Sequence, residues 1–328
     1  MPNRALYSFI IVNWNGRCLL ESCLDSIYQQ TYDKYEIILV DNASHDDSVA
    51  FVRANYPDVK VICLSENKGF AGGNCAGLPY ASGDVIALLN TDAYLLPDWI
   101  VQMEQALGTD EKVGICASRL IVPETGLIDS AGDAFTTAFT CTKEGEFEDP
   151  QKFLENRYVT SVCAAAAVYR RKMIDDVGFF DEDFFLILED SDLCIRAHFC
   201  GWRCLYVADA IAYHKVSATI GELSDTSVFY FSRNIEFLWL KNIPLTSMVR
   251  YFHIRIIYHF MAFFYFCILK NKWRPYLNGK LFFLKNFLKI LKKRKIPKKN
   301  MGENMQAFHK ELMPFRKFIF SKLHYFYR

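Results

Sequence analysis

The stretch YEIILVDNAS, Tyr35–Ser44, decides the fold class. Its centre, Ile37-Ile38-Leu39-Val40, is continuously aliphatic and suits a strand buried on both faces, as in a parallel sheet. It ends on Asp41 and Asn42, polar groups placed where such a strand leaves the core. The same pattern returns in YSFIIVNW (Tyr7–Trp14), VKVICLS (Val59–Ser65), VIALLN (Val85–Asn90) and VGICASRLIV (Val113–Val122). Helical stretches separate these runs. DDSVAFVRANY puts Val49, Val52 and Tyr56 on one face, with Asp46 and Asp47 at its positive end. PDWIVQMEQALG opens on Pro97 and closes on Gly108. The alternation predicts an α/β fold, a mostly parallel sheet flanked by helices. In such sheets ligands bind outside the carboxyl ends of the strands.

Residues 126–156 break the pattern, with Gly, Asp, Thr and Glu scattered through them, and are expected to form a variable loop or a small excursion. VTSVCAAAAVYRR returns to the sheet, followed by a helix over roughly 191–200 and the strand CLYVADAIAYH. After about Ser224 the chain reads as consecutive aromatic and basic helices, SVFYFSRNIEFLWLKN, MVRYFHIRIIYHFMAFFYFCILKN and YLNGKLFFLKNFLKILKKRK. Their apolar run Ile256–Leu269 is broken by His259 and falls short of the ~20 residues of a membrane span. An interfacial position suits it better, with Lys and Arg toward anionic headgroups. The alternative is a helical cap with a solvated basic face.

The net charge of +1 is unevenly spread: Lys and Arg accumulate from Lys270 to Lys299 with no acid among them. The 11 cysteines form no C-x-x-C pair and several, such as Cys63, Cys116 and Cys163, lie in apolar runs, which points to reduced thiols. The N-terminal apolar run is too short for a signal peptide.

Chemistry-bearing residues fall just after strands. Asp41 and Asn42 can accept or donate at a ligand, or simply make a turn. ENKGFAGGNCAG, Glu66–Gly77, has glycines that allow close approach of a ligand, without the order of a dinucleotide or P-loop signature. Asp92, in LLNTDA, either caps the next turn or holds Mg²⁺ or Mn²⁺ together with phosphate oxygens. His214 ends its own strand and could complete such an oxygen-rich site. The block VGFFDEDFFLILEDSDLCIRAHFCGW, Val177–Trp202, crowds acids among phenylalanines, although an unpaired buried charge is costly.

In this order the pieces IIVNWNG, VDNAS, ENKGFAGGNCAG, LLNTDA, the acid block, His214 and SRN (Ser232–Asn234) resemble glycosyltransferase family 2, inverting enzymes of the GT-A nucleotide-sugar-binding fold, especially its rhamnosyltransferase-like branch. The resemblance implies a catalytic domain over 1–242 and a helical extension over 243–328. It implies that Asp190 is the general base and that Asp92 and His214 hold Mg²⁺ or Mn²⁺. Substrate or nucleotide contacts would come from Asn13, Asp41, Asn42, Asn67, Gly69, Phe70, Asn74, Asn90, Thr91, Glu189 and Arg233, the last facing the diphosphate or the acceptor, or else serving as a structural ion-pair partner. With an ordinary pKa of ~3.9, Asp190 would be ionised at neutral pH. Asn90 stands where relatives carry a first acid, which leaves one metal carboxylate, and Ala164 stands where Gly is expected. The implied partners are a nucleotide-sugar donor, with dTDP-rhamnose first and UDP-sugars behind it, a saccharide or lipid-linked saccharide acceptor, and the inner face of the cell membrane. No nucleic-acid partner is implied. Two other readings stay open, a sugar nucleotidyltransferase and a catalytically silent nucleotide-binding scaffold.

Overall fold

The aliphatic runs pair where they are longest. The computed structural model describes residues 4–216, 223–294 and 301–326. In chain order the first half comprises β1 (Tyr7–Asn13), α1 (Arg17–Tyr28), β2 (Tyr35–Asp41), α2 (Ser48–Asn55), β3 (Lys60–Cys63), α3 (Gly69–Gly77), β4 (Val85–Leu89), β5 (Ala93–Leu95), α4 (Trp99–Gly108) and β6 (Val113–Ile121). Then come β7 (Ile128–Ser130), β8 (Asp133–Phe135), β9 (Cys141–Lys143), β10 (Arg157–Val159), β11 (Ala166–Arg170), α5 (Arg171–Val177), α6 (Glu189–Phe199) and β12 (Arg203–His214). The helical end holds α7 (Asp225–Asn242), α8 (Leu245–Phe263), a π-helical turn Phe264–Leu269, α9 (Trp273–Lys292), α10 (Met301–Glu311) and α11 (Phe315–Phe326).

The main sheet runs β10-β12-β6-β11-β4-β1-β2-β3. It is parallel through β4-β1-β2-β3 and mixed beyond, because β11 lies antiparallel between β4 and β6 while β6 and β12 run parallel. One face of the sheet packs Phe9, Ile11, Leu39 and Leu89 against Leu20, Leu24, Trp99 and Met103. The other packs Ile10, Ile38, Val40 and Leu88 against Ala71, Met173 and Leu193. Burying both faces is what the continuous aliphatic runs require.

Residues 126–156 are not loose. They form β7 on the edge of β6 and the β8–β9 hairpin, strands too short to show periodicity. Cys63 is exposed, not part of the core, and all eleven cysteines are free.

The helical end is wedded to the sheet-bearing part. Phe135, Phe139, Phe184, Ile195 and Phe199 share one core with Phe237, Tyr251, Tyr276 and Phe308. Much of the basic stretch is spent internally: Lys280 pairs with Glu236, Lys289 with Asp183 at 2.9 Å, and Lys293 with Asp181 and Asp183, both at 2.6 Å. Lys295, Lys298 and Lys299 lie outside the described residues. Leu245–Leu269 forms one apolar helical stretch of 25 residues, long enough to span by length, unlike the shorter run read from the sequence. Its inner side is clamped to the protein: buried Arg255 donates to Ala138 O, Ile235 O and Glu236 Oε2, each at 3.0 Å.

Candidate functional site

Parallel pairing aligns Asn13 with Asp41 at the carboxyl ends of β1 and β2. Asn13 Nδ2 donates to Asp41 Oδ1 at 3.0 Å and to Ser44 Oγ at 3.1 Å, and Ser44 N donates to Asp41 Oδ2 at 3.1 Å. Asn13 and Asp41 are both buried, so the carboxylate is held rigidly. Asn42 braces the following turn: its Nδ2 donates to Asn67 Oδ1 and Gly69 O, while its Oδ1 accepts from Lys68 N at 2.8 Å.

The glycines of α3 do not open a ligand passage, as their sequence suggested. They let the helix approach protein. A Cβ on Gly73 would stand 2.6 Å from Val12 and one on Gly77 2.7 Å from Ile10. Gly69, at φ +70°, lies against the ring and carbonyl of Phe185. Phe70 packs on Phe180. Asn74 has no exposed surface and bonds Phe70 O at 2.9 Å, so it braces α3 from within.

Asn90-Thr91-Asp92 forms the tight turn from β4 into β5. β5 pairs with β12 so that Ala93 faces His214. This brings His214 Nε2 within 3.4 Å of Asp92 Oδ1. Thr91 is buried beside Gly16 and Asn13. The other ring nitrogen, Nδ1, meets Asp129 Oδ2 at 2.8 Å, and Asp129 Oδ1 pairs with Lys143. Burial alone would lower the His214 pKa; its bonds to Asp129 and Asp92 outweigh that and raise it to about 9. Burial alone would raise Asp129; Lys143 and His214 hold it down at about 2.

The pair Asp92–His214 fits a small divalent cation. Two neighbouring ligands of an octahedral ion with bonds of about 2.1 Å stand roughly 3 Å apart. The donors are one carboxylate oxygen and the imidazole nitrogen opposite the one already tied to a carboxylate, as in many metal sites. Among the described residues no group of three or more such side chains gathers, so further ligands would have to come from the donor or water.

The acid block is folded around strained backbone. Phe185, Ile187 and Leu188 all have positive φ, 64°, 69° and 71°, which costs non-glycine residues free energy. Two buried side chains of α7 hold it. Asn234 Nδ2 shares its two N–H groups among Phe184 O, Leu186 O and Ile187 O at 2.6–3.0 Å. Arg233 NH2 donates to Asp183 O at 2.8 Å and Phe184 O at 2.6 Å. Arg233 therefore builds the loop; the sequence offered it as a contact to the diphosphate or the acceptor, or as a structural ion-pair partner. Burial lowers its pKa to about 10.

This loop delivers Glu189 and Asp190 to the first turn of α6. Asp190 Oδ2 accepts from Ala164 N at 3.2 Å and Oδ1 from Ser191 N at 2.6 Å. Burial pushes its carboxyl up, against those hydrogen bonds, so its pKa is not the ordinary one expected from sequence. Glu189 is buried and pushed well up by burial and by Asp190, so a proton is kept on it more readily. Asp192 takes no part in an open site: it is fully buried against Arg196, Lys241 and Asn242. Against the effect of burial, Asp181 is held low by Lys241 of α7 and Lys293 just beyond α9, and Asp183 by Lys293 and Lys289 of α9.

Sequence reasoning missed Asp129, Asp133, Lys143 and Asn234. IDSAGDAF did carry acids between apolar residues, the same anomaly as the acid block. Asp133, buried on β8, is raised to about 7 by burial and by Asp190.

Comparison with known proteins gives the family and the fold. Residues 8–178 match the family model described as glycosyl transferase family 2. The uncharacterized glycosyltransferase YwdF of Bacillus subtilis is 33% identical over 178 residues, 54% of this chain and 62% of that protein. The chain therefore spans less than two thirds of that relative. The amylovoran biosynthesis glycosyltransferase AmsB of Erwinia amylovora is 26% identical over 68% of this chain and 74% of its own. Among solved structures, GalNAc-T7 with UDP, GalNAc and Mn²⁺ superposes with a TM-score of 0.59 at 17% identity, over 72% of this chain and 48% of that one. TarS residues 1–349 of S. aureus with UDP-GlcNAc gives 0.57 at 16% identity, over 85% and 81%. At these identities the likeness speaks for the fold, and that fold is the GT-A glycosyltransferase fold. On its strand-end motifs, its sheet order and the match over more than half its length, the chain belongs to glycosyl transferase family 2.

Proposed function

We propose that this chain is an inverting glycosyltransferase that moves a sugar from a nucleoside-diphosphate donor to a saccharide or lipid-linked saccharide in cell-surface polysaccharide synthesis. The observation that carries the reading is the common anchorage of Asp190 and the Asp92 turn. Ala164 N holds Asp190, and Ala165 O holds Asn90 N at 2.8 Å. A base and a cation pair are thus fixed on consecutive backbone units.

In this mechanism Asp190 accepts the proton of the acceptor hydroxyl as that oxygen bonds to the anomeric carbon. The bond from that carbon to the diphosphate oxygen breaks, and its electron pair leaves with the nucleoside diphosphate. One displacement inverts the centre. A base whose pKa is raised toward the working pH transfers protons more effectively. A Mg²⁺ or Mn²⁺ ion held by Asp92 and His214 would neutralise charge on the leaving diphosphate. Asp41, Asn13 and Thr91 line the donor side, and the phenylalanines of the acid block limit water.

dTDP-rhamnose is the first donor to test, on the motif order shared with the rhamnosyltransferase-like branch. UDP-sugars come second, because GalNAc-T7 and TarS are solved with UDP and UDP-GlcNAc. The catalytic domain is taken as 1–242 and the extension as 243–328. The extension rests on the cytoplasmic face of the membrane: Leu245, Val249, Phe252, Ile256 and Phe260 on α8 and Leu277, Leu281, Leu284 and Leu288 on α9 are exposed in helical register. Exposed Arg250, Lys270, Arg274, Lys285 and Lys292 suit anionic headgroups. Because Arg255 clamps α8 to the protein, the helix would lie flat and not span.

The test is calorimetric binding of dTDP and UDP, each with and without Mn²⁺. Metal-dependent preference for dTDP supports a deoxysugar donor, preference for UDP moves the donor to the second group, and binding of neither refutes the enzyme reading.

A further inference from the structure

His214 can hold a cation only through the ring nitrogen that faces Asp92, and only once the cation displaces the proton that this nitrogen directs at Asp92 in the metal-free chain and so takes up its lone pair. Its other nitrogen decides this. Nδ1 stands 2.8 Å from Asp129 Oδ2, inside a buried cluster. Asp129 sits on β7, in the segment that looked like a variable excursion. β7 is pinned to β6 by the Leu120–Ser130 and Ile121–Ile128 pairs. The second oxygen of Asp129 is occupied by Lys143, which ends β9. Three separate strands, β12, β7 and β9, thus meet in one line of contacts from Asp92 through His214 and Asp129 to Lys143.

We propose that Asp129 is the positioning residue of the cation site, fixing the proton of His214 on Nδ1 so that Nε2 presents its lone pair beside Asp92, and that Lys143 fixes which way Asp129 can be replaced. The proposal rests on the reading that Asp92 and His214 share a divalent cation. A carboxylate accepts on both oxygens, so it accepts the Nδ1 proton and the lysine protons at once. An amide in its place has one accepting oxygen and one donating nitrogen. Lys143 is a donor only, so it claims the amide oxygen. The amide NH₂ then faces Nδ1 and donates to it. The ring proton is forced to Nε2, where it points at Asp92 and blocks ligation. Asp129→Asn is therefore nearly isosteric yet reverses the ring. Removing the cation with Lys143→Met frees the amide to turn its oxygen toward Nδ1 and restores the useful tautomer.

The measurement is Mn²⁺ binding to the full-length chain, followed by the electron paramagnetic resonance of free Mn²⁺, with UDP present. Asp129→Asn is expected to bind Mn²⁺ roughly 10–100-fold more weakly, the usual loss when a residue behind a metal-bound histidine is changed. The double variant Asp129→Asn with Lys143→Met recovers part of that loss, which a merely structural role for Asp129 would not produce. If Asp129→Asn binds Mn²⁺ as the wild-type chain does, or the double variant is no better than the single, the inference is overturned. If the wild-type chain binds no Mn²⁺, the cation reading falls and takes the inference with it. Should the variants not fold, ¹⁵N-histidine NMR of the wild-type chain with Mg²⁺ and UDP decides alone. A His214 ring protonated on Nδ1 only supports the assignment, and one protonated on Nε2 overturns it.

Discussion

Ala164 donates its backbone N–H to Asp190 Oδ2 at 3.2 Å. The contact comes from the main chain two residues before β11, which is locked between β4 and β6. Asp190, the proposed base, is thus tied to the sheet on one oxygen and to Ser191 of its own helix on the other. Ala164 replaces an expected Gly without loss of this bond, because only its N–H is used.

Asp190→Asn should lower kcat by roughly 10²–10⁴-fold while leaving UDP or dTDP binding and the unfolding midpoint close to wild type. On the proposed mechanism, activity needs ionised Asp190. Its raised pKa therefore moves the acid limb of the kcat/KM profile above the position of an ordinary aspartate near pH ~3.9. Steady-state rates across pH check both points, and a variant with wild-type turnover would remove Asp190 from the role.

Asn234→Ala should cost about 2–4 kcal/mol in urea denaturation, since one side chain serves the carbonyls of Phe184, Leu186 and Ile187 at about 1 kcal/mol each. Those bonds hold the positive-φ backbone that leads into Asp190. Turnover should therefore fall further than nucleotide affinity. Equal stability of variant and wild type would show that the loop holds itself.

Lys241→Met should destabilise by about 3–5 kcal/mol at neutral pH, because it strips a cation from Asp192 at 2.9 Å and from Asp181 at 2.8 Å. Both carboxyls are depressed in the folded chain. Their stabilisation is therefore complete above the unfolded value of ~3.9 and drains away as pH falls below it. The deficit of the variant should shrink over the same acid range in denaturation curves.

Asp133 is shifted the other way, to about 7. The folded chain holds its proton where the unfolded chain has lost it, so stability falls as pH rises from about 4 to about 7, by at most about 1.4 kcal/mol per pH unit. Asp133→Asn should flatten that slope and be the more stable protein at pH 8. An unchanged slope would place the titration elsewhere.

Phe260→Glu with Leu288→Glu should abolish sedimentation with vesicles rich in phosphatidylglycerol and leave UDP binding intact. Both side chains are about 70% exposed, Phe260 at 73% and Leu288 at 69%. Point changes are preferable to truncation, since α9 and α10 contribute Tyr276, Ile290 and Phe308 to the shared core. Undiminished sedimentation would leave the helical end as a cap.

The sequence by itself determined the sheet, the strand ends and the family. Long aliphatic runs such as Ile37–Val40 have one stable home, a strand buried on both faces, and the polar residues that end them are thereby carried to one edge. Asp41, Asp92 and His214 were legible for that reason, and Asp190, in the first turn of α6, through the resemblance of its acid block. Tertiary structure alone decided what each polar group does. Arg233 in SRN reads as a substrate contact or an ion-pair partner and Asn234 as nothing in particular, yet both are consumed by the carbonyls of a strained loop. Lys289 and Lys293 look free for lipid, yet they neutralise Asp181 and Asp183 more than a hundred residues away. Asp129 and Lys143 lie on strands of three residues, too short to leave a period, and gain their meaning only by meeting His214. A hydrophobic run announces its fate because burial depends on the run alone. A charge does not, because its fate depends on the partner that folding brings to it.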